Sequence, residues 1–466
     1  MNWIALLLSL SLLVATHELG HLVFAKIFHT RVRRYYVFFN WKFSILKAKK
    51  FGGRWHFLFF NATTPDSWDE KNLAPEDQNN TLWGLGWIPL GGYCDIAGMI
   101  DETKDASDLE SEPQPWEYRT KPAWQRLCII SGGVVVNFLS ALLIYGIMFA
   151  HWGKDELPLR SATLGYQYHQ VMLDEGFENG DIIYALDGKE YYELVDVNKA
   201  LLLDDPSVAT VMRGDSLVDI PLSGHLSERV SREQVKQLMG YRIPFVVKTF
   251  ATGSNAEDAG MQEGDSLVSI NGVPMSAFQD IVAALGEHKD GEVTVGFYRN
   301  GLLDSLNVKV NGNGQIGVQV VTDVARIFPG YRHIEYNLLE AIPAGISYGW
   351  HTLVSYVSSL KLLFEPGGAQ NLGGFGTMAS LFPSQWSWQA FWELTALLAL
   401  VLAFMNIIPI PGLDGGHILF TLWEMISRRK PSDKFLTVAQ NIGMWLLLVL
   451  MIVANGNDIL RWLGLM

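Results

Sequence analysis

The chain has 466 residues, 49% of them hydrophobic and 12% aromatic, with a positive mean hydropathy and a formal net charge of −13. That mixture is too apolar for an ordinary soluble enzyme and too polar for a pure transporter, so it points to a few membrane spans joined to soluble domains. The negative charge argues against a nucleic-acid partner, and two cysteines, Cys94 and Cys128, exclude a disulfide framework and a cysteine-based zinc site.

From Trp3 to Phe28 a near-continuous apolar run is long enough to cross a bilayer as a helix. It lacks the basic start and small-residue cleavage site of a secretory signal, and it carries His17-Glu18-Leu19-Gly20-His21. Helical spacing puts His17 and His21 on one face, one turn apart, with Glu18 beside them. Two imidazoles at i and i+4 can grip Zn2+, and the adjacent carboxylate can hold and deprotonate a water. Ionisable groups inside a span are costly unless they work, so a polar patch packed between helices is the weaker reading.

Lys26, Arg31, Arg33 and Arg34 follow at once, which places this end in the cytoplasm and the N-terminus outside. Val32 to Phe60 alternates aromatic and β-branched runs around Gly52-Gly53, predicting strands and a hairpin. Their aromatic content suggests a sheet lying against or dipping into the membrane, with a plain cytoplasmic sheet as the alternative. Asn61 to Thr81 reads as loop. Trp83 to Met99 is apolar but punctuated by Gly and Pro89, so it predicts a loop or edge strand bordering a cavity rather than a helix. Asp101 to Glu117 is acidic and predicts a surface linker.

A second span runs from about Trp124 to Trp152, starting in the cytoplasm, with Gly132-Gly133 and Asn137 inside it. Lys154 to Arg326 is polar and acidic, hence soluble, and it repeats itself. Gly176 to Asp181 with Asp187-Gly188 matches Gly260 to Asp265 with Asn271-Gly272 at a constant offset of 84 residues. This pattern resembles PDZ domains of bacterial proteases, which bind extended or C-terminal peptide segments by strand addition; steric control of substrate access is the competing role. Phe328 to Phe364 predicts amphipathic surface helices, and Pro366 to Met378 a Gly-rich break. A third span, about Trp388 to Ile410, leads into Pro411-Gly-Leu-Asp414-Gly-Gly416, with Arg428 to Lys430 beyond; a fourth spans about Val438 to Ala454. A hydrolytic zinc site needs a third protein ligand and an open position. Asp414 is the best candidate, because the first and third spans run parallel and both reach the cytoplasmic half after roughly 20–33 Å of helix; His417 is the weaker alternative.

Taken together, HELGH, the NxxPxPxLDGG run at Asn406–Gly416, PLGGY at Pro89–Tyr93, GGVVVN at Gly132–Asn137 and the duplicated soluble region resemble the site-2 protease family, nearest its bacterial regulator-of-sigma-E branch. The resemblance covers almost the whole chain and departs from the family in the aromatic region from Arg34 to Leu82. It implies a polytopic α-helical membrane protein with four transmembrane helices, a membrane-associated β-sheet region and two PDZ domains. The corresponding segments are residues 1–28 (span with HELGH), 29–120 (β region and Gly-rich loop), 121–153 (span), 154–238 and 239–327 (PDZ domains), 328–387 (amphipathic helices and loop), 388–427 (span with LDGG) and 428–466 (span). It implies a bacterial inner-membrane location, with both termini and the PDZ pair on the periplasmic side. The implied activity is zinc-dependent cleavage inside the transmembrane segment of single-pass proteins, such as a pre-trimmed anti-sigma factor or a signal-peptide remnant. His17, His21 and Asp414 resemble the zinc ligands and Glu18 the catalytic glutamate; Asn406, Gly91, Gly92, Tyr93 and Asn137 are the expected substrate-holding residues. A membrane-anchored PDZ scaffold with a non-catalytic metal site is the main alternative, and an ion transporter a distant one.

Overall fold

The computed structural model describes residues 1–89, 91–99, 112–235 and 237–465. Most of the expected linker from Asp101 to Glu117, and Leu90 of the PLGGY motif, lie outside the described residues. The chain divides into two compact units: residues 1–153, 335–357 and 372–466 form the first, and residues 154–334 with 358–371 form the second.

Among the described residues of the first unit, four helices are long and apolar enough to cross a membrane: Asn2–Ile27 (α1), Ala123–Trp152 (α2), Trp388–Ile407 and a stretch ending at Trp462. A helix that is apolar on every side needs lipid or protein all round, and α1 satisfies this by packing against α2. Glycine sets the spacing. A Cβ at Gly20 would lie 2.2 Å from the carbonyl oxygen of Gly132, so the two backbones touch where side chains would hold them apart.

Five strands separate these helices: Val32–Val37 (β1), Ser44–Phe51 (β2), Arg54–Asn61 (β3), Leu82–Leu85 (β4) and Tyr93–Ile96 (β5). They form one sheet in the order β3-β2-β4-β1-β5, with β1 parallel to β4 and the remaining pairs antiparallel. β2 and β3 meet at Gly52-Gly53, whose φ values of 57° and 73° give a two-residue turn that matches the strand twist. Alternation along β3 turns Leu58 toward Tyr36, Trp68 and Leu82, and leaves Trp55, Phe57 and Phe59 exposed on the opposite face. The Tyr35 hydroxyl donates to the Ala15 carbonyl at 2.7 Å, and Ser11 Oγ lies 2.6 Å from Pro89 O; these contacts pin the sheet and its Gly-rich loop to α1. Among the described residues β5 is the last strand of this sheet, beside the first helix.

The remainder of this unit comprises Leu338–Ser359 (α3), Phe375–Leu381 (α4), Trp388–Ile407 (α5), Asp414–Ser427 (α6) and Asp433–Trp462 (α7). α5 ends earlier than the expected boundary at Ile410, because Pro409 and Pro411 cannot continue a helix. The chain folds back so tightly that a Cβ on Gly415 would lie 2.0 Å from Ile408 O. The expected third span with LDGG is therefore two helices joined by a turn. α2 is the common partner of α1, α5 and α6.

The second unit contains two lobes built from the repeated sequence, each with its own core; one centres on Tyr166, Phe177 and Ile183, the other on Phe245, Leu267 and Phe297. The repeated aspartates have the same job in both. Asp181 and Asp265 are each 1% exposed. Arg213 grips the first carboxylate with two hydrogen bonds of 2.9 and 2.7 Å, and Arg299 grips the second at 2.8 and 2.6 Å. The backbone amides of Glu178 and Gln262 each donate to the same carboxylates at 2.8 Å. Burial pushes the Asp265 carboxyl up, but Arg299 and the Gln262 amide outweigh that and hold it below the usual carboxylate range. Residues 358–371, expected with the surface helices, cluster with this second unit.

Candidate metal centre

The helical repeat of α1 turns His17 and His21 the same way, and α2 fixes both rings. His21 Nδ1 lies 2.9 Å from the Ile129 carbonyl, so it is Nδ1 that carries the proton and Nε2 that presents a lone pair. His17 Nδ1 faces the Asn137 amide at 3.3 Å, and Thr16 Oγ1 lies 3.2 Å from the other end of that amide. It is the amide nitrogen that faces the ring, and Thr16 donates to the amide oxygen; only with the amide turned end for end does His17 adopt the same tautomer, its Nδ1 then donating to the amide oxygen while Thr16 donates to Leu13 O. Gly133 supplies the room. A Cβ there would lie 2.5 Å from His17 Cε1 and 2.7 Å from His21 Nε2.

The turn after α5 brings Asp414 to the same point. The two Nε2 atoms are 3.2 Å apart, and Asp414 Oδ2 is 3.0 Å from one and 3.4 Å from the other. Ligand atoms held tetrahedrally at about 2.0 Å from zinc stand about 3.3 Å from one another. The observed triangle fits one face of that tetrahedron. Asp414 Oδ2 is buried, and the two imidazoles are its close neighbours. With both rings in the Nδ1-protonated tautomer, three lone pairs converge at this point, which is the electrostatic requirement of a cation. Among the described residues, these three form the one group of His, Cys, Asp and Glu able to share a metal ion.

A cavity of about 500 Å³ opens on this point. Glu18, Gly92, Tyr93 and Asn406 line it with the three ligands. The Cys94 backbone amide, on β5, hydrogen-bonds Glu18, so that strand and the carboxylate are direct neighbours. Gly91 sits outside the lining, against the Phe39 ring. Asn137 was expected among the substrate-holding residues. It is instead completely buried behind His17 and outside the cavity lining, because its i, i+4 relation to Gly133 turns it toward the first helix. His417, the alternative ligand, meets Gln440 of α7 at 3.1 Å. Sequence reasoning missed Gln440, Asn441 and Met444, which complete the wall from α7; they sit in an apolar span with no motif to mark them.

A model described as peptidase family M50 matches residues 70–450. A regulator of sigma E protease from Haemophilus influenzae is 25% identical over 488 residues, covering 98% of both chains. Regulator of sigma-E protease RseP from Salmonella typhimurium is 26% identical over 484 residues, covering 99% of this chain and 98% of its own. A Vibrio cholerae protein named “Putative zinc metalloprotease” is 26% identical over 485 residues, covering 99% and 98% respectively. Among solved structures, the PDZ domain of an SdrC-like protein from Listeria monocytogenes matches at 19% identity, covering 18% of this chain and 94% of its own, with a TM-score of 0.16. Zn2+ is the expected ion, and the donor set fits it. The chain belongs to peptidase family M50, a family of metalloproteases.

Proposed function

We propose that this protein is a zinc-dependent intramembrane endopeptidase that hydrolyses peptide bonds within the transmembrane segment of single-pass membrane proteins. The observation that carries the reading is the convergence of His17, His21 and Asp414 beside Glu18, with β5 one hydrogen bond from that carboxylate.

His17, His21 and Asp414 would hold the ion, and Zn2+ when bound supplies Lewis-acid polarisation of the scissile carbonyl and a more acidic water. Glu18 takes the proton of the attacking water and delivers it to the leaving amine. Ile129 keeps His21 in the ligating tautomer, and the Asn137 amide, with its oxygen turned to the ring, does the same for His17. A transmembrane helix hides its carbonyls in its own hydrogen bonds, and in lipid each freed backbone group costs several kcal/mol unless it is paired again. The Asn406 amide and the Gly92-Tyr93 backbone, which line the cavity beside β5, are placed to offer that pairing to an extended chain. The exposed Trp55, Phe57 and Phe59 stripe suits an apolar or interfacial neighbour, which supports a sheet seated against the bilayer.

The basic flank after α1 supports a cytoplasmic position for the β-sheet region, with both termini and the duplicated unit outside a bacterial inner membrane. We read the two lobes as PDZ domains on their duplicated Gly-Asp pattern. The names of the relatives above point to clients such as a pre-trimmed anti-sigma factor in regulated intramembrane proteolysis.

The deciding experiment uses purified full-length protein in liposomes with a single-pass model substrate. Wild type cleaves within the membrane segment, whereas Glu18→Gln retains zinc and loses cleavage by at least about a hundredfold, the low end for a positioned acid–base group. A Glu18→Gln protein that cleaves normally sinks the mechanism. Substrates of graded helix propensity serve as the second arm, and rates that ignore propensity exclude the unwinding step.

A further inference from the structure

We infer that the ion pair between Arg126 and Glu424 sets the register of α6 against α2, and thereby positions the third metal ligand relative to the other two. This rests on the metal-site reading above and extends it to a pair at the far end of the helix from the chemistry.

The two imidazoles have local support, and Asp414 Oδ2 does not. His21 leans on the Ile129 carbonyl and His17 on the Asn137 amide, both from α2, while among the described residues Asp414 Oδ2 meets only the two imidazoles themselves. Asp414 opens α6 after a turn containing Pro411 and Gly412, whose φ is +98°. A ligand on such a turn is located by the helix that follows, and α6 is fastened near its other end. Arg126 Nη2 meets Glu424 Oε1 at 2.6 Å, with the side chains 11% and 21% exposed. The guanidinium is held from behind, since its Nε donates to Lys121 O at 3.1 Å. One turn nearer Asp414, Thr421 is buried against the Tyr118 hydroxyl.

α2 is thus one ruler for three ligands. Its first turn carries Arg126, and the next turns carry the Ile129 carbonyl, the gap at Gly133 and Asn137. A helix rises about 1.5 Å per residue, so a slip of α6 by a fraction of a residue moves Asp414 by about 1 Å. Displacement on that scale takes a carboxylate out of bonding range of a site whose tolerance is about 0.2 Å. An ion pair suits such registration better than an apolar contact, because a guanidinium–carboxylate contact has a fixed geometry that apolar packing lacks.

The test compares wild type with Arg126→Met, Glu424→Met, the double methionine variant and the exchanged pair Arg126→Glu with Glu424→Arg, all as full-length protein. Two readouts do not depend on turnover: zinc release to a chelator, and the visible spectrum of the cobalt-substituted site. Each single variant and the double methionine variant should release zinc 10–100-fold faster, the range for residues that support metal ligands. Their cobalt spectra should shift, and kcat should fall with little change in KM. The exchanged pair should recover zinc release to within threefold of wild type. Should the single variants fail to accumulate, the double methionine variant and the exchanged pair decide. Wild-type zinc release in the double methionine variant overturns the inference, as does an exchanged pair no better than the singles. A wild-type protein that binds no zinc instead refutes the metal-site reading itself.

Discussion

Gly133→Ala isolates the packing of the metal centre from every other property of α2. The added methyl would stand 2.5 Å from His17 Cε1 and 2.7 Å from both His17 Nδ1 and His21 Nε2. Ordinary contacts begin near 3.5 Å, so the rings must retreat by about 1 Å, enough on its own to cost about a hundredfold in a positioned reaction. They cannot both retreat while keeping the Ile129 and Asn137 hydrogen bonds. Zinc affinity should fall 10–100-fold, or about 1.4–2.7 kcal/mol. Helix propensity acts the other way, since alanine favours a helix over glycine by about 1 kcal/mol. Any loss therefore cannot be assigned to a weaker helix. Gly146 in the same helix is the control: a Cβ there comes no closer than 3.5 Å to its neighbours, so Gly146→Ala should bind zinc like wild type. Zinc competition against a chromophoric chelator, followed by cleavage of a transmembrane substrate, measures both variants. A Gly133→Ala protein with unchanged zinc affinity would refute the packing assigned to this centre.

Asn137→Leu removes the amide that faces His17 Nδ1 and orients the ring, and zinc dissociation should quicken 10–100-fold with Glu18 untouched; unchanged dissociation would return Asn137 to a packing role. Stripping zinc with a chelator should abolish cleavage and readdition restore it, while circular dichroism stays constant, because the helices are held by α1–α2 and α2–α5 packing; helix loss on stripping would show the ion to be structural. Asp265 is held below the usual carboxylate range, so its contribution is present above the unfolded value near 3.9 and lost as pH falls through the lower folded value. The unfolding midpoint of the second unit should therefore drop below about pH 4, and Asp265→Asn should lower it at neutral pH and flatten the acid slope. Trp55, placed in protein lacking its other tryptophans, should be quenched by brominated lipid; emission indifferent to such lipid would leave the sheet clear of the bilayer.

The residues brought together at the centre were legible because ionisable groups inside apolar runs have few explanations. His17, Glu18, His21 and Asp414 could each be named from that conflict alone, and Gly52-Gly53 announced its hairpin by a backbone need that few other residues meet. What escaped the sequence depends on helix rotation or on contacts between distant segments. GGVVVN showed that Gly133 and Asn137 share a face, but not that the face meets His17. Arg126 opens an apolar span, and its pairing with Glu424, 298 residues away, has no local signature. The arginine clasps of the repeat were missed for a related reason: the glycine–aspartate spacing stays at 84 residues while Arg213 and Arg299 are 86 apart, so a strict repeat search slides past them.

Under the proposed function, the Gly92-Tyr93 stretch beside Glu18 has a consequence for timing. A chain that pairs there is gripped through its main chain, so one site accommodates many side-chain sequences, and discrimination moves to how often a client's own helix comes apart near Glu18. The interval between arrival and scission is then written into the client, and a stretch of glycine or serine shortens it without any change in the enzyme. Two proteins with the same affinity for the site can have very different lifetimes in the membrane, and the clock that separates them runs in the substrate.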